Sequence, residues 1–146
     1  MEEDTSMDIR QIMEVLPHRP PFLLVDKITS RDGLNWGRGR KNLTGNEYFF
    51  QNSSELPRPI LLEIMAQAGA ACVLNCPEYA GKLILFASIE GCTFGRAAVP
   101  GDVLDIYVEM RSLRRGMGKM QARCSVGDEV LADGILMFAI ADRDKA

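Results

Sequence analysis

Histidine is almost missing from this sequence: His18 is the only one in 146 residues. A multi-histidine metal centre is thereby excluded, and few side chains remain that act as bases near neutral pH. Positive charge is not in excess either, with 17 Lys and Arg against 20 Asp and Glu and a formal net charge of −3. Non-specific nucleic-acid binding needs a clustered surplus of basic residues, so nucleic acid is not an expected partner. No uninterrupted apolar run approaches the roughly 20 residues that a bilayer-spanning helix requires. The best candidate, Ile60–Leu74, is broken by Glu63 and Gln67. Met1-Glu-Glu-Asp-Thr-Ser6 is acidic and polar where a secretory signal is basic and then apolar. These features predict a soluble cytoplasmic protein without a membrane span. Cys72, Cys76, Cys92 and Cys124 sit in apolar surroundings, where a reducing compartment makes them small core hydrophobes. Cys72 and Cys76 lack the second ligand pair that zinc would need. Asn42-Leu-Thr44 and Asn52-Ser-Ser54 match the glycosylation pattern, which without a secretion signal is read as chance.

What is present is a chain 47% hydrophobic, of a length that suits one domain with a real core. One domain is expected over 1–146, ordered over about 8–141, with Met1–Met7 and Asp142–Ala146 disordered. Ile9, Ile12, Met13 and Leu16 recur at helical spacing behind Asp8, a candidate N-cap, and Pro17 ends the pattern. Phe22 to Thr29 is apolar and β-branched and meets Arg31-Asp-Gly33, predicting a hairpin that returns through Arg38, Arg40 and Asn42. Tyr48-Phe-Phe50 opens a polar loop. Pro57 and Pro59 suit the start of a helix that runs to about Cys76 before Pro77. That helix is apolar nearly all round, so something must enclose it. Leu83 to Ile89 is a continuous apolar run typical of a central strand. From Val103 to Arg111 the period is two, with Leu104, Ile106, Val108 and Met110 on one face. Met120, Ala122, Cys124 and Val126 repeat it, Gly127-Asp128 turns, and Val130 to Ile140 returns. The expectation is an α+β fold, an antiparallel sheet curled round one buried helix.

Glu63 and Gln67 are the polar exceptions in that helix and share one face. A carboxylate on a buried apolar helix is costly unless it is hydrogen-bonded, paired or neutral. It is therefore functional or near an edge, while the bland alternative is a first-turn glutamate favoured by the helix dipole. In Pro57-Arg58-Pro59 only Arg58 carries a backbone N–H, a donor suited to polarising a thioester carbonyl.

Leu16-Pro-His-Arg-Pro-Pro-Phe-Leu-Leu-Val-Asp26, Glu63-Ile-Met-Ala-Gln-Ala-Gly69, Phe86-Ala-Ser-Ile-Glu90, Phe94-Gly-Arg-Ala-Ala-Val-Pro-Gly-Asp102 and Arg115-Gly-Met-Gly-Lys119 together resemble the FabZ-type 3-hydroxyacyl-[acyl carrier protein] dehydratases. The resemblance runs from about residue 9 to 140. It implies a hotdog fold, a homodimer or higher homo-oligomer whose sheets join, and acyl tunnels at the dimer interface. It also implies a carrier-protein or CoA thioester substrate in fatty-acid or related acyl-chain biosynthesis, with no cofactor and no metal. In the family a histidine and a glutamate from opposite protomers carry out the dehydration. Glu63 and Gln67 fall on the family glutamate and the glutamine after it. The family histidine belongs to a Gly-His-Phe-Pro-Gly segment, in place of which stands Asn52-Ser-Ser-Glu-Leu56, and the stretch leading to Glu63 is shorter. The Pro-Gly pair at the helix start reads Pro57-Arg58.

The resemblance gives His18 a structural role, because the family has that histidine beside its separate catalytic one. The catalytic set is then Glu63, Gln67 and the Arg58 backbone amide, and the expected substrate contacts are Met65, Phe86, Phe94, Pro100 and Gly101. Arg114, Arg115 and Lys119, with Arg111, form a candidate patch for an acidic carrier protein, against the alternative of a solvated hairpin. Gly116-Met-Gly-Lys119 is not a P-loop. The leading expectation is a dehydratase with an altered site centred on Glu63. Alternatives are a non-catalytic or half-site subunit pairing with a histidine-bearing homologue, and an acyl thioesterase.

Overall fold

A computed structural model of the protein describes residues 5–143. Helix α1 (Ile9–Val15) starts where the sequence predicts. The Asp8 carboxylate accepts the Gln11 N–H at 2.9 Å, and the Gln11 side chain accepts the Asp8 N–H at 2.8 Å. This reciprocal cap satisfies two amides that a helix start leaves open. Strands β1 (Lys27–Asp32) and β2 (Trp36–Asn42) form the expected hairpin, turning through Gly33 at φ +47°. β1 begins later than the apolar run at Phe22 suggests, because the backbone of Phe22 and Leu24 bonds to the Gln67 side chain instead of a neighbouring strand.

Helix α2 (Arg58–Leu74) follows, with Pro57 as its N-cap and every residue from Ile64 to Leu74 buried. It ends at Leu74, two residues before Cys76, with Asn75 as its C-cap, and Pro77–Tyr79 adds a short 3-10 turn. Strands β3 (Lys82–Phe94), β4 (Val103–Arg114), β5 (Met117–Val126) and β6 (Glu129–Asp142) complete one antiparallel sheet in the order β1-β2-β4-β5-β6-β3. The sheet curls so far that α2 touches all six strands. Leu104, Ile106 and Val108 of β4 and Met120, Ala122 and Cys124 of β5 face it, as their period of two requires. Gly69 permits the close approach: a Cβ there would lie 2.4 Å from Met120 Sδ. Cys72, Cys76 and Cys124 are buried, and burial pushes the Cys72 and Cys124 thiols up to about 12, as suits inert packing groups. No helix among the described residues is long and apolar enough to cross a membrane.

Two expectations are corrected. β3, expected as a central strand, lies at the sheet edge, paired only with β6, and exposes Leu85, Phe86, Ile89 and Phe94. An apolar run reports that a strand wants cover, not that its own chain provides it. Met7, expected to be disordered, is 1% exposed and exchanges backbone hydrogen bonds with Ile28 at 2.8 and 3.0 Å. Strand β6 runs to Asp142, and residues 1–4 and 144–146 lie outside the described residues.

The connection from β3 to β4 is held by Asp102, which accepts Arg96 Nη1 at 2.9 Å and the Val99 N–H at 2.9 Å, while Arg96 Nε reaches Glu129 at 3.0 Å. The Arg96 guanidinium holds the Asp102 carboxyl below the usual carboxylate range. A depressed folded value stabilises the fold at neutral pH, and that stabilisation is lost as pH falls through the carboxylate range. Asp102→Ala is expected to lower unfolding free energy at neutral pH by about 1–2 kcal/mol. Urea titrations at neutral pH and at about pH 3 check this, with the deficit shrinking in acid.

Candidate active site

The two polar residues of α2 are one turn apart and joined to each other. Gln67, 1% exposed, accepts the Leu24 N–H on Oε1 at 2.8 Å and donates from Nε2 to Phe22 O at 2.9 Å and Glu63 Oε1 at 2.8 Å. Leu24 can only donate here and Phe22 only accept, so the amide has one orientation and presents N–H to Glu63. The buried amide thereby fixes both the segment after α1 and the carboxylate.

That segment also carries His18. Arg19 folds back onto the carbonyls of Met13, Leu16 and His18 at 3.0, 2.8 and 2.7 Å, bracing the turn. His18 Nε2 then lies 3.5 Å from Glu63 Oε1, with both side chains about one-third exposed. His18 Nδ1 is buried without a hydrogen-bond partner among the described residues. Glu63 and His18 border a pocket of about 280 Å³. Beyond them and Gln67 its walls are apolar: Leu16, Ala66, Ala70 and Leu74 on one side, Ile84, Leu85 and Phe86 of β3 on the other. A carboxylate and an imidazole facing an apolar cleft can move a proton on a ligand whose remainder is hydrocarbon. Among the described residues no group of three or more His, Cys, Asp or Glu side chains is placed to hold a metal ion.

The other expected site residues are scattered. Arg58 begins α2, where Pro57 and Pro59 have no N–H and Ile60 N–H is used by Pro57 O at 2.9 Å, so the Arg58 amide stands as first-turn donor. Its guanidinium reaches Gly95 O from Nε and Nη2, each at 3.3 Å, and does not line the pocket. Of the expected substrate contacts, Phe86 borders the pocket. Met65 is fully buried in the core, Phe94 ends β3 in an exposed position, and Pro100 and Gly101 form the exposed turn before β4, with Gly101 N–H on Leu43 O at 2.7 Å. Arg114 and Arg115 sit exposed at the β4–β5 turn, where Arg115 has φ +51°; Lys119, on β5, lies 3.9 Å from Glu90. Asn52–Leu56 is an exposed loop anchored by buried Leu56, whose N–H bonds Ala98 O at 2.8 Å. Sequence reasoning did not bring His18 to Glu63, because no spacing or period links a turn after α1 to the second turn of α2.

One antiparallel sheet wrapped round a central helix is the hotdog arrangement. Residues 16–134 match the family model described as a FabA-like domain, and the chain belongs to that family. It is 42% identical over 143 residues to the 3-hydroxyacyl-[acyl-carrier-protein] dehydratase FabZ of Chloroflexus aggregans, covering 95% of this chain and 99% of that one. It is 45% identical over 138 residues to the protein of the same name from Pelotomaculum thermopropionicum, covering 92% and 99%. Among solved structures, the dehydratase heterocomplex ApeI:P from Xenorhabdus doucetiae shares the fold, with a TM-score of 0.79 at 20% identity over 91% of this chain and 92% of that one. A hypothetical thioesterase with coenzyme A from Streptococcus pneumoniae shares it at 0.63 and 12% identity, over 79% and 84%.

Gln67→Leu is expected to leave the Leu24 N–H and Phe22 carbonyl buried without partners. The loss is about 3 kcal/mol, measured by urea unfolding.

Proposed function

We propose that this protein is a dehydratase that removes water from 3-hydroxyacyl thioesters to give 2-enoyl thioesters, with its chemistry centred on Glu63. The observation that carries this reading is the Glu63 carboxylate, held by Gln67 at 2.8 Å beside an apolar pocket, in a chain so similar to FabZ dehydratases. The pocket's hydrocarbon walls suit an acyl chain, and the carboxylate suits removal of the C2 proton, which is acidified when a backbone amide polarises the thioester carbonyl. The Arg58 amide is that donor in our reading. An acyl carrier protein is the natural bearer of such a chain, and Arg114, Arg115 and Lys119 offer cations to steer an acidic one.

We further propose that β3 pairs with β3 of a second copy. Its unpaired edge and exposed Leu85, Phe86, Ile89 and Phe94 support this, since an apolar open edge is a template for association. Ile89→Glu is expected to turn a dimer into a monomer in sedimentation analysis; an unchanged dimer argues for another interface.

The activity is tested by mass spectrometry of 3-hydroxyacyl carrier protein incubated with the purified protein. Loss of one water, slowed about 10²–10⁴-fold in Glu63→Gln, is the expected result. Release of the free thiol instead identifies a thioesterase. Conversion that appears only on co-expression with a histidine-bearing homologue identifies a half-site subunit.

A further inference from the structure

We propose that His18 and Glu63 of the same chain form the acid–base pair of this elimination, with His18 as a catalytic residue. The inference rests on the dehydratase reading and deepens it. Nε2 of His18 faces Glu63 Oε1 at 3.5 Å, and both residues line the same pocket. The backbone that carries the imidazole is held on both sides: Arg19 clamps the turn, and Gln67 ties the following segment to the helix that carries Glu63. A histidine that only braces a fold normally uses both ring nitrogens in hydrogen bonds. Here Nδ1 has no partner among the described residues, and Nε2 lies 3.5 Å from the carboxylate. The chain contains no other imidazole.

The step balances within the pair. The Glu63 carboxylate takes the proton from C2, and the C2–H electrons form the C2=C3 double bond. The C3–O bond breaks, and the imidazolium of His18 gives its Nε2 proton to the departing hydroxyl, which leaves as water. Glu63 is then protonated and His18 neutral. Transfer of that proton from Oε1 to Nε2 restores the starting pair without a solvent proton. The separation of 3.5 Å is longer than a hydrogen bond, and catalytic contacts of this kind shorten once substrate fills the site. Among the described residues that line the pocket, no other side chain is ionisable: Gln67 is neutral, β3 contributes only Ile84, Leu85 and Phe86, and the nearby Arg19 guanidinium is turned onto backbone carbonyls.

The test compares wild type, Glu63→Gln, His18→Gln and His18→Asn in steady-state conversion of a 3-hydroxyacyl carrier protein, across pH, with thermal midpoints recorded for each. Both His18 variants are expected to lose about 10²–10⁴-fold in kcat with little change in KM, and their residual activity should follow a pH profile different from that of wild type. Glutamine places a donor near Nε2 and cannot give up a proton at working pH. Rescue of the rate by His18→Gln would therefore show a positioning role and overturn the proposal. Full activity and an unchanged pH profile in both His18 variants, with Glu63→Gln inactive, would overturn it while leaving the dehydratase reading intact. Wild type no faster than Glu63→Gln would sink that reading as well.

Discussion

Helix α2 has almost no face that can meet water, and that constraint organises the molecule. Eleven consecutive positions from Ile64 to Leu74 are buried, so a single packing partner on one side does not suffice. A six-stranded sheet supplies the enclosure by curling until each strand meets the helix. Close contact needs small residues at the crossings, which is why Gly69 faces Met120 and Gly37 faces Cys72. The hydrophobic effect drives the enclosure, and the period of two in β4 and β5 decides which face of the sheet turns inward.

Polar atoms on such a helix need partners within the protein. Gln67 finds three: the Leu24 N–H, the Phe22 carbonyl and the Glu63 carboxylate. The same amide that makes a buried side chain affordable also holds an unpaired stretch of chain against the helix and aims the glutamate. The turn at Pro17–Arg19 lies just before that stretch, so His18 arrives beside Glu63 as a consequence of how the segment is held. Structure and chemistry here share one set of hydrogen bonds, and burial at Gln67 gives way to partial exposure at Glu63 within one helical turn.

The match over residues 16–134 places these features within the FabA-like family. The loop at Asn52–Leu56 has no imidazole, and the helix begins with Arg58, whose guanidinium turns to Gly95 O.

Much of the fold was legible without coordinates. The cap at Asp8, the hairpin, the enclosed helix and the strands of period two all rest on local pattern, which the chain carries residue by residue. The polar pair Glu63 and Gln67 was visible for the same reason, as two exceptions on one helical face. The end of α2 was overshot by two residues because Asn75 and Cys76 carry no strong stop signal before Pro77. Tertiary structure alone decided that β3 stands at the edge, that Met7 belongs to the core, that Phe22 and Leu24 spend their backbone groups on Gln67, and that His18 meets Glu63. Each of these depends on which distant segment lies alongside, and hydrophobic period and turn chemistry report only a residue's nearest neighbours along the chain.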